Sequence, residues 1–179
     1  KQVMKKNIDG LIFSGYPPEC YKFINLMKKT GYRPKNLAFT IAPILPGFYK
    51  RVGTFAEGVF GPSQWEPDER IPFPGTKQFI KDFKDFTGKM PSYHAASAYS
   101  ACQILEKAII QAQTIDHKKI RNYVSSFDTI TIMGRFKVDH TGRQVGHNPI
   151  LIQWQKGKKE IVYPGKMSTS QPQFNSSGE

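Results

Sequence analysis

Cysteine is scarce in this chain of 179 residues: there are two, Cys20 and Cys102. Neither lies in a CxxC pair, which removes a thioredoxin-like redox centre and a cysteine-based zinc site. Both fall at apolar-face positions of expected helices, so buried free thiols are the expected state, with a disulfide between them left open. Histidine is nearly as sparse. His94, His117, His140 and His147 stand apart, none four residues from another and none beside a suitable acidic cluster, so no metal site is expected. Long apolar runs are missing too, and no stretch of about 18 apolar residues offers a membrane span. The opening residues Lys1-Gln2-Val3-Met4-Lys5-Lys6 carry no secretory signal and read as the middle of a helix. Acid is short as well: 14 Asp and Glu stand against 26 Lys and Arg, for a net charge of +12.

That imbalance raises nucleic acid or an anionic membrane surface as partners. The basic residues are dispersed, however, at Lys28-Lys29, Lys50-Arg51, Lys118-Lys119 and from Lys156 to Lys159. No long stripe interleaves them with aromatics, so a solvated basic surface is the preferred reading and no nucleic-acid partner is expected. The phosphate-binding P-loop, the GxGxxG turn and the GxSxG elbow are all absent. Acidic pairs such as Asp82/Asp85 and Asp68/Glu69 sit in polar surroundings. No group of residues offers a nucleophile, a base and an orienting partner together. No catalytic residue and no cofactor are therefore expected, and binding is favoured over catalysis.

What is present is a complete βαβ unit between Asp9 and Ile41. Leu11-Ile12-Phe13 is a short apolar run, expected to be a strand buried on both faces. Ser14-Gly15-Tyr16 breaks it, and Pro17-Pro18 suit a helix start, where a missing N–H costs nothing. Cys20, Phe23, Ile24 and Met27 recur at helical spacing. Gly31 supplies the stop and Leu37 to Ile41 the second strand. In open α/β sheets ligands bind beyond the carboxyl ends of the strands. That edge carries Tyr16 after the first strand and Ala42-Pro43 after the second. Tyr16 has two readings of equal weight: packing against the helix start, or stacking on and hydrogen bonding to a small ligand.

Further along, Phe48 to Phe55 reads as a short helix and Glu57 to Phe60 as a third strand. Gly61 to Gly75, rich in Pro, Gly and charge, reads as a crossover between two packing units. A helix starts at Thr76 with a buried stripe of Phe79, Ile80, Phe83 and Phe86, ending at Gly88. The longest helix spans about Ser92 to Ala112 with Ser92 as N-cap. Its expected buried face is Tyr99, Cys102, Leu105 and Ile109, padded by Ala95, Ala98 and Ala101. A shorter helix, His117 to Ser125, follows. From Asp128 the apolar period changes to two, through Ile130, Ile132, Phe136 and Val138. A turn at Asp139 to Gly142 leads to strands Pro149 to Trp154 and Glu160 to Tyr163, joined at Gly157. Beyond Pro164 the polar chain is expected to fray. A parallel sheet normally needs more βαβ units than these, so the chain is expected to be the C-terminal part of a larger molecule.

An ordered series of motifs carries a family resemblance. Asp9 to Tyr16 with Glu19, Phe55-Ala56-Glu57-Gly58-Val59, and Phe86 to Tyr93 with Ala95-Ala96 and Ala98-Tyr99 are its first members. Met133 to Asp139 with Gly142, His147-Asn148-Pro149 to Trp154, and Val162-Tyr163-Pro164 complete it. From about Asp9 to Pro164 the chain resembles the periplasmic branched-chain amino-acid-binding proteins, the type I solute-binding proteins of ABC transporters. The resemblance implies an α/β fold of two lobes joined by hinge strands. Residues 1–60 and 149–166 would be part of lobe two, 61–146 part of lobe one with the hinge crossings, and 167–179 a flexible tail. It implies a non-enzymatic receptor for a small-molecule ligand, located in the periplasm or otherwise outside the cytoplasm, free or lipid-anchored, with a membrane permease as partner. Exposed sheet edges add a homodimer to the expectations.

Carried over by position, Tyr16 matches a tyrosine that lines the ligand. The loop at Ile41, Ala42 and Pro43 matches the place where amino-acid binders set an acid against the ligand ammonium. This chain has no acid there, and a buried ammonium without a counter-charge is costly. The expected ligand therefore lacks a positive charge: a carboxylate, an aromatic acid or an amide. The sensor domain of a signalling receptor is the second reading, and a basic nucleic-acid-binding α/β domain the third.

Overall fold

The structure is a computed structural model that describes residues 8–174. The helix expected at Lys1 to Lys6 lies outside the described residues. The chain forms two compact units, one built from residues through Ser63 together with those from Ile150, the other from Gln64 to Pro149.

The first unit is a five-stranded sheet in the order β1-β2-β3-β6-β7. Strands β1 (Gly10–Phe13), β2 (Asn36–Phe39) and β3 (Val59–Ser63) run parallel. Strands β6 (Ile150–Gln155) and β7 (Lys158–Tyr163) add antiparallel pairings. Helix α1 (Pro17–Thr30) starts on its two prolines and stops at Gly31, whose φ of 66° is left-handed. It buries Cys20, Tyr21, Ile24 and Met27. Phe23, on the expected stripe, is half-buried and stacks on Phe13 at 4.8 Å.

The aromatic core lies on one side of this sheet. Phe13 meets Phe39 at 5.8 Å, and Trp154 of β6 stacks on Tyr49 and approaches Phe48 of helix α2 (Phe48–Val52). Burying each such ring contributes about 2–3 kcal/mol. The other side is barer. The register row Ile12, Ala38, Phe60 places these residues on one face, and Ile12 is 77% exposed. The expectation that β1 is buried on both faces is corrected: among the described residues it is an edge strand with one face uncovered. A groove of about 620 Å³ follows that face, lined by Leu11, Ile12, Leu37, Phe60, Val162 and Phe174 among others.

The second unit packs helices α3 (Thr76–Thr87), α4 (Tyr93–Ala112) and α5 (His117–Val124) with the hairpin β4 (Asp128–Thr131)–β5 (Gly134–Lys137). Its anchor is Trp65, buried, with its indole N–H donating to the Ile132 carbonyl at 3.1 Å. Thr76 donates to the same carbonyl at 3.3 Å. Ser92 caps α4 as expected, accepting from the Ala95 N–H at 3.4 Å.

Three burial expectations are corrected in this unit. Phe86 is 93% exposed, because it lies nearly two turns beyond the buried part of α3 at Phe79 and Ile80. Helix α4 turns Ala96, Ser100 and Ala108 inward, while Tyr99, Cys102 and Leu105 are exposed. The buried side chains are small, and the face they occupy is set by which elements pack against α4, among them α5 and β4. Cys102 is accordingly an exposed thiol and Cys20 a buried one, both free. No helix among the described residues is long and apolar enough to cross a membrane.

Candidate functional site

The three parallel strands of the first unit end at one edge, and the turns that leave them carry the candidate residues. After β1 the chain passes Ser14 and Gly15 to Tyr16, which occupies the N-cap of α1 in an extended conformation (φ −78°, ψ 164°). Its carbonyl accepts the Cys20 N–H at 3.0 Å, closing the first helical turn. Its side chain makes no cap bond and is 73% exposed. Gly15 is needed here, since a Cβ would stand 2.8 Å from the Phe13 ring.

After β2, Thr40 ties the two turns together. Its hydroxyl bonds both the carbonyl and the N–H of Gly15. Ile41 follows, half-buried, and then a 3₁₀ turn from Ala42 to Ile44. Ala42 is fully buried, and Pro43 is buried against Gly61 of β3, where a Cβ would come within 2.9 Å of the proline Cβ. The Pro43 carbonyl accepts the Trp154 indole N–H at 2.9 Å. Of the four candidates, Tyr16 and Ile41 bring side chains to the surface, while Ala42 and Pro43 are held within the unit. The edge from Thr40 to Pro46 carries no charge; the first turn of α1 carries the exposed Glu19.

Thr40, Gly61 and Trp154 had no place among the candidates. A threonine directly after an apolar strand is a signal for a side chain that bonds a neighbouring turn. The other two become visible only once β3 and β6 are neighbours, because 111 residues separate Trp154 from Pro43.

His147 is half-buried, with Nε2 buried and without a hydrogen-bond partner among the described residues. Burial pushes its pKa below the ordinary 6.5, and hydrogen bonding to the backbone of Met133 and Gln64 works the other way. The Arg135 guanidinium, with Lys137, holds the Asp128 carboxyl far below the usual carboxylate range. Lys107 donates to the Thr129 hydroxyl at 2.8 Å and to the Ile130 carbonyl at 3.0 Å. Among the described residues no three His, Cys, Asp or Glu side chains are placed to hold a metal ion.

The comparisons with known proteins agree with this arrangement of strands. A family model described as periplasmic binding protein matches residues 1–159. The leucine-binding protein LivK of Thermotoga maritima is 21% identical, with a TM-score of 0.75 over 89% of this chain and 45% of its own. LivJ of Streptococcus pneumoniae, solved with isoleucine, is 19% identical, with a TM-score of 0.75 over 91% of this chain and 47% of its own. A solute-binding protein of an ABC transporter from Rhodopseudomonas palustris, solved with benzoate, is 18% identical, with a TM-score of 0.67 over 90% and 44%. The chain thus spans less than half the length of these three solved structures. With its parallel-rich sheet of type I form and a family match over most of its length, the chain belongs to the periplasmic binding protein family.

Proposed function

We propose that this chain is part of the substrate-binding component of an ABC transporter and takes a small solute between two α/β lobes for delivery to a membrane permease. The unit containing β1 to β3, β6 and β7 is then part of lobe two, and residues 64–149 part of lobe one. The location that goes with this role is the periplasm or its extracytoplasmic equivalent, and the role is non-enzymatic. The observation that carries the reading is the Tyr16 phenol, exposed at the carboxyl edge of the parallel strands on a turn pinned by Thr40. An exposed ring with a hydroxyl at its tip stacks on a planar solute and hydrogen-bonds its polar end. Ligand binding would shift an open–closed equilibrium by its differential affinity for the closed form.

The solute class follows from charge. The loop from Thr40 to Pro46 offers no carboxylate, so an ammonium group brought there would lose its hydration without a counter-charge. We infer a solute without a positive charge, such as an aromatic acid, another carboxylate or an amide. The benzoate complex of the Rhodopseudomonas palustris protein shows that this fold accommodates an aromatic acid, and the isoleucine complex that it also accommodates an amino acid. The basic surface does not favour a nucleic-acid role, since Lys28, Arg33, Lys107 and Lys159 donate to backbone carbonyls of the chain itself.

The test is calorimetry on the full-length protein with benzoate, other aromatic acids, leucine and valine. Binding of an aromatic acid, weakened about ten-fold or more by Tyr16→Ala, is the expected result. Tight binding of leucine or valine would overturn the solute class, and binding of a solute indifferent to Tyr16→Ala would remove Tyr16 from the site.

A further inference from the structure

The segment after β7, expected to fray, is hydrogen bonded across the sheet through Phe174. It starts at Thr169, whose N–H donates to the Ile161 carbonyl at 2.7 Å and whose hydroxyl accepts the Ile161 N–H at 2.9 Å. Two glutamines of β6 then hold it. Gln153 is 0% exposed and Gln155 7% exposed. The Gln153 amide donates to the Gln173 carbonyl at 2.6 Å and accepts the Gln173 N–H at 2.8 Å, the two-bond pairing that a neighbouring strand residue would make. It also donates to the Gly58 carbonyl, just before β3, at 3.2 Å. The Gln155 amide donates to the Gln171 carbonyl at 2.9 Å and to Gln153 Oε1 at 2.7 Å, and accepts from the Ser170 hydroxyl at 2.7 Å. At the far end the Phe174 ring stacks on Phe60 of β3 with centroids 5.6 Å apart. The segment therefore links β7, β6 and β3 through side chains that are otherwise unusual in a sheet interior.

The strands it links have a particular place in the chain. The chain leaves the first unit at the end of β3 and returns to it at the start of β6. We propose that residues 169–174 are a brace across β3 and β6 that holds the two connecting strands together and limits the motion of the second unit about the first. The pairing of β3 with β6 supplies backbone bonds between those strands. The brace adds bonds that run through Gln153 to both partners at once, so loosening either strand breaks the shared network. This rests on the two-lobe reading above for its purpose, but its test uses no solute and so fails or succeeds separately from that reading.

The test compares the full-length protein with a form ending at Thr169 and with Gln153→Met, which keeps side-chain length and removes the amide. Hydrogen exchange is followed by segment. In both variants the amides of residues 57–63 and 150–155 are expected to exchange about ten-fold faster or more, with α1 and the β4–β5 hairpin unchanged. Spin labels on the exposed Cys102 and on Lys22→Cys, an exposed site of α1, read the motion directly. Their distance distribution is expected to broaden when the brace is removed. Unchanged exchange in β3 and β6 overturns the proposal, as does faster exchange spread equally over α1, which would make the segment a contributor to overall stability only. An unchanged distance distribution overturns it as well.

Discussion

The hydroxyl of Thr40 makes a two-way bridge to Gly15, donating to its carbonyl at 3.1 Å and accepting its N–H at 3.2 Å. One side chain thereby fixes the turn that carries Tyr16 relative to the loop that carries Ile41. Thr40→Val keeps the branched shape and removes both bonds. A stability loss of about 1–2 kcal/mol in denaturant unfolding is expected, together with weaker solute binding, because the Gly15 groups lose their partner. Thr40→Ser, which retains the hydroxyl, restores most of both.

Pro43 is held from two sides, by the Trp154 indole and by the close approach of Gly61. Trp154→Phe leaves the buried Pro43 carbonyl without its donor and is expected to cost about 1–3 kcal/mol. Gly61→Ala places a methyl group 2.9 Å from the proline Cβ and is expected to cost about 1–3 kcal/mol through the shift it forces. Because both act on Pro43, the double variant loses less than the sum, which a double-mutant cycle by chemical denaturation measures.

Proton uptake by His147 links stability to pH. Its folded pKa lies below the ordinary 6.5 because burial disfavours the imidazolium. The unfolded chain therefore binds more protons than the folded one in this range, and stability falls as pH drops below 6.5 toward the folded value. His147→Gln is expected to flatten that part of the profile, read as Tm against pH from 7 down to 5. A slope unchanged in the variant would assign it to other groups.

The two thiols differ in burial and so in reactivity. Cys102 on α4 is exposed, while Cys20 is buried with its Sγ 3.5 Å from the Gly15 carbonyl and its pKa raised by burial. A thiol reagent is expected to modify Cys102 quickly in the chain of 179 residues and Cys20 only on unfolding, as mass spectrometry of the labelled peptides would show. Equal labelling of both would mean that the first unit opens around α1.

These contrasts mark how far the residues themselves could be read. Helix α1 was legible because its stop is local: Pro17 and Pro18 at one end, Gly31 at the other, and a buried stripe at helical spacing between them. The face of α4 was not legible. That helix is apolar or small almost all round, so spacing cannot choose between Tyr99, Cys102, Leu105 and the smaller Ala96, Ser100, Ala108. What chose was the distance to neighbouring elements, a tertiary quantity. Gln153 and Gln155 escaped for the opposite reason. A glutamine beside Ile152 and Trp154 gives no sign of burial by itself, and the burial of these two depends on a segment that returns from residue 169 onward. The place of Tyr16 on the turn after a strand was legible, whereas Thr40's bond to Gly15 required two loops to be adjacent in space.

The contact between Trp154 and Pro43 also bears on how the chain is made. On a ribosome, strands β1, β2 and β3 emerge with no indole to close over Pro43. At ordinary rates of translation, on the order of ten seconds pass before Trp154 is synthesised. The second unit, contiguous from Gln64 to Pro149, is synthesised before that moment. During synthesis the sheet of the earlier-coded unit therefore waits for its last two strands until the whole of the later-coded unit has been made.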